Sequence, residues 1–221
     1  MSHFSKDYIS FFQELSKNNH KAWFDQNRQR FEQQVKNPFH AFVEEMIVRI
    51  HSDDPDVLIS PNEAIFRIFR DVRFSNDKTP YKTHMAAVIS PGGRKAKNRP
   101  GFYFQIGVNG IKLYSGVHDL DKGKLESVRR YIANHLPQLE KIIKNSEFKS
   151  RYGEILGEKH KRLPPEFQDL ASKQPLIANR VFYVTADMAK SNITNPALSE
   201  LMMKYYFGVK PFLQLLNHAL E

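Results

Sequence analysis

Between positions 67 and 84 the chain reads R-I-F-R-D-V-R-F-S-N-D-K-T-P-Y-K-T-H. This run sets Arg67, Arg70, Arg73, Lys78 and Lys82 beside Asp71, Asp77, Tyr81 and His84. Guanidinium forks hold a carboxylate or a phosphate with paired hydrogen bonds, and ammonium groups add point charge. The run therefore supplies the donors for a small anion: Arg67, Arg70, Arg73, Lys78 and Lys82 as holders, with Asp71 or Asp77 orienting them. Asp71, Tyr81 and His84 are the groups able to carry a proton. The same residues have a plainer use. Arg67–Asp71 or Arg73–Asp77 ion pairs would pin a loop, and ionic clusters serve structure as readily as ligands.

Charge is concentrated where these residues lie. Of the net +9, residues 65–100 hold nine Lys/Arg against two Asp/Glu, while residues 1–64 are net acidic. A local positive field favours anionic partners and is silent on fold. Nucleic acid is the alternative partner. The basic loop Arg94–Arg99 could follow a phosphate backbone, and Phe102, Tyr103 and Phe104 follow it closely. Strand alternation, however, puts Phe102 and Phe104 together on one face, which is expected to be core. A third reading leaves the cluster structural and puts function in a protein interface.

Other chemistries are excluded or poorly supplied. The chain has no cysteine, so disulfides, thiolate catalysis and Cys-ligated metal are out. Its nine histidines form no H-E-x-x-H and no helical pair at metal spacing, so no metal site is expected. His118-Asp119 is a lone pair that reads as surface polarity before it reads as an oriented base. Asp53-Asp54-Pro55-Asp56 lacks calcium-loop spacing. Neither a phosphate-binding loop, a dinucleotide fingerprint nor a G-x-S-x-G elbow occurs, and no cofactor is expected. The charged N-terminal stretch has no signal-peptide core, and no run approaches a membrane span, which places the protein in the cytoplasm without a membrane partner.

The elements that must position the basic run follow from periodicity. Ser5 caps a helix over 5–16 with Tyr8, Phe11, Phe12 and Leu15 on one face. A second helix is expected over 21–35. A third, over 38–51, opens on Asn37-Pro38 and buries Phe39, Phe42, Val43, Met46, Ile47 and Ile50. Residues 64–73 are rich in strand formers and predict a strand. On it Arg67, Asp71 and Arg73 share one face, and Arg70 points to the other among apolar neighbours. Strands are also expected over 84–90, 102–108 and 111–117, the last two joined at Asn109-Gly110, the strongest short hairpin signal in the chain. Helices over 124–135 and 137–144, a strand at 181–185 and a helix from Asn195-Pro196 onward complete the chain. Pro211 is expected to kink that helix or start a new segment. The expected fold is one α+β domain over 1–221, with a helical part at 1–60, strands at 61–120 and helices at 121–221. Four to five mainly antiparallel strands are packed by the helices.

The run R-x-x-R-D-x-R-F-x-x-D-K-x-P-Y-K-T resembles the signature of the bacterial and fungal family of unknown function numbered 2461, also called the conserved hypothetical 02453 family. Asn18-Asn19 before Trp23-Phe24, Gly101–Phe104, Leu125 with Arg129, and Pro211-Phe212-Leu213 are similar to further stretches of it, so the resemblance covers nearly the whole chain. Ser115-Gly116 stands where the family has a glycine pair, and Asn179-Arg180 where it has a lysine-containing run. The resemblance implies that Arg67, Arg70, Asp71, Arg73, Asp77, Lys78, Tyr81 and Lys82 matter, for folding or for a ligand, and it implies no reaction.

Overall fold

The computed structural model describes residues 2–221. Its sheet is antiparallel and has four strands in the order β1-β2-β3-β4, being β1 (His84–Ile89), β2 (Gly101–Gly107), β3 (Gly110–Val117) and β4 (Phe182–Met188). With its helices this is the expected α+β class. The β2–β3 turn is the expected Asn109-Gly110 hairpin, and Gly110 takes φ +100°, a conformation costly for any residue with a Cβ.

The chain divides into two compact units. The first comprises residues 1–95, 103–113 and 187–203. Its α1 (Lys6–Lys17) is capped by the Ser5 hydroxyl, which accepts from the Asp7 N–H, and it buries Tyr8, Phe11, Phe12 and Leu15 as the 3.6-residue spacing requires. The helix expected over 21–35 is instead α2 (Lys21–Gln26), α3 (Arg28–Phe31) and a π-turn at Glu32–Lys36. Asn27 interrupts it, leaving helical geometry and donating from its side chain to the Trp23 carbonyl at 2.9 Å. Arg30 ties α3 to α1 through Asp7 and, at 2.8 Å, Glu14. The helix α4 (Asn37–His51) buries all six apolar residues expected of it. The rings of Phe39 and Phe42 lie 6.0 and 5.8 Å from that of Phe104 on β2, and the Tyr8 hydroxyl donates to the Ile106 carbonyl at 3.0 Å.

The strand expected over 64–73 does not form. A short α5 (Pro61–Ala64) ends at Ile65, and the following residues make only isolated bridges, Ile65 to Ala87 and Phe69 to Tyr81. One feature interrupts the ladder: Pro80, opposite Arg70, has no N–H to donate to the Arg70 carbonyl. On the far side of this arm, the backbone of Tyr81 is bonded to the side chain of Asn19.

The second unit comprises residues 96–102, 114–186 and 204–221. Here α6 (Lys122–Asn134) is capped by Asp121, whose carboxylate accepts the Lys124 N–H at 2.9 Å. It is followed by α7 (Leu136–Lys144), α8 (Ser146–Tyr152) and α9 (Pro165–Lys173). The helix α10 (Leu198–Leu220) runs unbroken through Pro211. Proline there forfeits one bond, to the carbonyl of Phe207, and that residue is half exposed, so water can take its place.

Candidate anion site

Residues 65–82 form an extended stretch that turns back on itself. The Phe66 N–H donates to the Ala86 carbonyl, Arg70 N–H to Pro80, and Lys82 N–H to Ile68, each at 2.9 Å. Between the two arms, residues 71–79 make a polar loop. Tyr81 anchors the base: it is buried, and its ring stacks on Phe24 at 4.1 Å and 12°.

The loop consumes most of the charge that the sequence offers. Arg70, expected among apolar residues of a strand, bonds instead to Asp77 and to the Thr79 hydroxyl. Arg73 takes Asp71 in a fork, at 2.9 and 2.7 Å. Lys78 Nζ donates to the Val72 carbonyl and Lys82 Nζ to the Arg67 carbonyl, both at 3.0 Å. The ion pairs are thus Arg70–Asp77 and Arg73–Asp71, and neither expected pairing, Arg67–Asp71 or Arg73–Asp77, occurs among them.

The electrostatics follow from these contacts. Asp77 is held down at about 2, first by the Thr79 N–H and then by Arg70. Asp71 is held at about 2 by Arg73. Burial, reinforced by Arg67, lowers the Lys82 ammonium. Burial beside Lys82 lowers His84 to about 4, so its imidazole is neutral at pH 7 and is a proton acceptor there rather than a donor.

Arg67 is the exception. Its guanidinium has no hydrogen-bond or ion-pair partner among the described residues, and it lines a groove of about 460 Å³. Aromatic rings from Phe24, Phe31, Phe66 and Phe69 form much of that groove, and Phe69 is 47% exposed. Arg28, Lys36 and Arg94 add cations. Arg28 and Lys36 are answered by Asp25 and Glu32, each at 2.7 Å. Arg94 bonds to the Asn62 carbonyl and makes no ion pair among the described residues, although its charge helps to lower the nearby Glu63 carboxylate. The groove can therefore hold an anion between Arg67 and Arg94 and lay a flat or apolar body against the rings.

Of the expected ligand-holding set, only Arg67 lines this groove; Arg70, Arg73, Asp77, Lys78 and Lys82 lie on the loop and its arms with the proton-carrying candidates Asp71 and Tyr81, and His84 opens β1. Sequence reasoning passed over Arg28 and Lys36, and read Arg94 only as part of the 94–99 loop. The signal for Arg28 was available, because Phe24, Arg28, Phe31 and Glu32 sit at helical i, i+4, i+7, i+8 spacing. Nothing in the sequence places Arg94 at this groove, because only the fold brings it beside Asn62. Among the described residues no group of His, Asp and Glu is placed to hold a metal ion.

Residues 7–215 match the family described as "Conserved hypothetical protein (DUF2461)". No curated protein and no solved structure matches the chain. No helix among the described residues is long and apolar enough to cross a membrane.

Proposed function

Because the chain belongs to the DUF2461 family, whose description names no reaction, we propose from the geometry that it binds a small phosphate- or carboxylate-bearing molecule in the groove over Arg67. The observation that carries this reading is the free guanidinium of Arg67 on a groove walled by phenylalanines, with Arg94 also lacking a carboxylate partner. An exposed arginine beside the exposed Phe69 ring and the half-buried Phe66 ring is a surface that a planar anion covers well. Arg67 and Arg94 hold the charge, and Phe66 and Phe69 take the body of the ligand. A second reading is favoured for the loop itself. Every cationic head group on residues 70–82 is engaged internally, which suits a scaffold that fixes Arg67 rather than a second set of anion holders.

The test is a thermal-shift and titration screen of nucleotides, aryl phosphates, di- and tricarboxylates and short oligonucleotides at two salt concentrations. A ligand bound only by the folded state raises the melting temperature by mass action. The reading expects a shift from a small anion that survives salt and is lost in Arg67→Gln. A shift from oligonucleotides alone, falling steeply with salt, would replace it with nucleic-acid binding. Binding indifferent to Arg67→Gln would overturn it.

A further inference from the structure

The second unit contains a cavity of about 720 Å³, larger than the groove over Arg67. His118, Arg129, His160, Arg162 and Arg180 line it, and none of them belongs to the basic run.

Arg129 is the unusual member. It sits on α6 and is only 3% exposed, yet it has no carboxylate within ion-pair distance among the described residues. Its Nε donates to the Ile177 carbonyl at 2.9 Å and its Nη2 to the Asn179 carbonyl at 3.2 Å. Its Nη1 has no partner among the described residues, and the guanidinium lies 5.7 Å from the Phe167 ring. Two neutral carbonyls and an aromatic face orient a guanidinium but do not cancel its charge. Buried charges are normally paired, because taking one out of water costs several kcal/mol. Burial depresses Arg129 accordingly, against a weaker opposing pull from Glu126.

The rest of the lining points the same way. Arg162 has no carboxylate partner among the described residues, and Arg180 meets Glu158 only at 3.4 Å. His160 is pulled down by slight burial and then by the charges of Arg129 and Arg180, so the field where it stands is positive. His118 is stacked on Tyr183 at 5.0 Å and is also lowered by burial, so it faces the cavity as a neutral imidazole. The acids there are Asp119, Glu126 and Glu158, fewer than the four Lys and Arg side chains. Leu120, Leu163, Pro164 and Val181 supply apolar wall.

We infer that this cavity is a second anion site, and that its ligand is a phosphomonoester whose phosphate meets Nη1 of Arg129 together with Arg162 and Arg180. Three guanidinium groups around one space offer more charge and more donors than a single carboxylate uses, whereas a phosphate dianion accepts several forked contacts at once. Neutral His118 adds a further hydrogen-bonding group at the wall.

The test is isothermal titration of the full chain with phenyl phosphate, inorganic phosphate and benzoate, run in an Arg67→Gln background so that the groove in the first unit cannot contribute. The expected result is saturable binding of phenyl phosphate, weaker binding of inorganic phosphate and little of benzoate. Arg162→Gln and Arg180→Gln, on exposed side chains, should each weaken phenyl phosphate at least about fivefold, and Arg129→Gln should remove binding. If Arg129→Gln fails to fold, the Arg162→Gln/Arg180→Gln double variant carries the test. Absence of binding up to about 10 mM phenyl phosphate, or affinity unchanged in the double variant, overturns the inference. Neither outcome bears on the groove over Arg67, whose loss is built into the background.

Discussion

The side chain of Asn19 satisfies both backbone hydrogen-bonding groups of Tyr81, 62 residues away: its Nδ2 donates to the Tyr81 carbonyl at 2.9 Å and its Oδ1 accepts the Tyr81 N–H at 3.1 Å. One amide thus stands where a neighbouring strand would stand. It joins the α1–α2 connection to the base of the loop behind Arg67, and the Phe24–Tyr81 stack closes the same junction. Replacement by alanine leaves two half-buried backbone groups unpaired. Asn19→Ala should therefore cost about 2–3 kcal/mol, and Asn19→Gln, whose amide sits one methylene too far out, should recover little of it. Urea unfolding measures the loss, and a change below about 0.5 kcal/mol would show that water replaces the amide freely.

Asp77 accepts the Thr79 N–H at 2.9 Å and the Thr79 hydroxyl at 2.8 Å while paired with Arg70, and it is held at about 2 against an ordinary value of 3.8. A carboxylate depressed on folding stabilises the loop above its ordinary value, and that contribution disappears as pH falls from about 4 to about 2. The Thr79 amide resonance should therefore titrate with a midpoint near 2. Asp77→Asn should abolish that transition. A midpoint at the ordinary carboxylate value would mean that Asp77 does not close the loop in solution.

Much of this scaffold can be read in the sequence where the signal is local. Tyr8, Phe11, Phe12 and Leu15 mark α1 because a helix face repeats within a few residues, and Asn109-Gly110 marks its hairpin because positive φ is a local demand. The signals fail where a distant residue decides. Residues 64–73 have strand composition, but Pro80, opposite Arg70, cannot donate to the ladder they would need. Strand alternation puts Arg70 among apolar neighbours, whereas its partners Asp77 and Thr79 lie across a loop whose turn sets the pairing. Helices α8 and α9 bury few residues each, so their periodicity is faint. Arg129 looks like an ordinary helix residue until Ile177 and Asn179 close over it, 48 and 50 residues on.

His84 opens β1, and burial next to Lys82 takes it from an ordinary 6.5 to about 4. The folded protein resists protonating it, while the unfolded chain does so readily. Stability is therefore fully present above about pH 6.5 and is lost as pH falls toward 4, by about 2 kcal/mol after allowing for the partial exposure of the ring. His84→Gln should flatten that part of the stability–pH profile, and Lys82→Met should move the His84 midpoint upward. An unchanged profile in His84→Gln would assign the acid sensitivity of this region to other groups.

Gly116 lies close against β4: its φ is +141°, and a Cβ there would run into the Phe182 carbonyl oxygen and approach the Tyr183 Cα to 2.7 Å. Both obstacles are backbone of β4, which cannot swing aside as a side chain can. Gly116→Ala must therefore strain its own backbone and also part β3 from β4, at a cost of about 3 kcal/mol or more. Gly153 separates the two effects. It also has positive φ, +73°, but no atom lies within 4 Å of the position a Cβ would take. Gly153→Ala meets only the backbone penalty, about 1–3 kcal/mol for a φ of +73° with ψ of −86°. Denaturant unfolding should therefore show the larger loss in Gly116→Ala, where the clash with β4 adds to the backbone penalty. Equal losses would mean that the β3–β4 approach at Phe182 is loose enough to admit a methyl group.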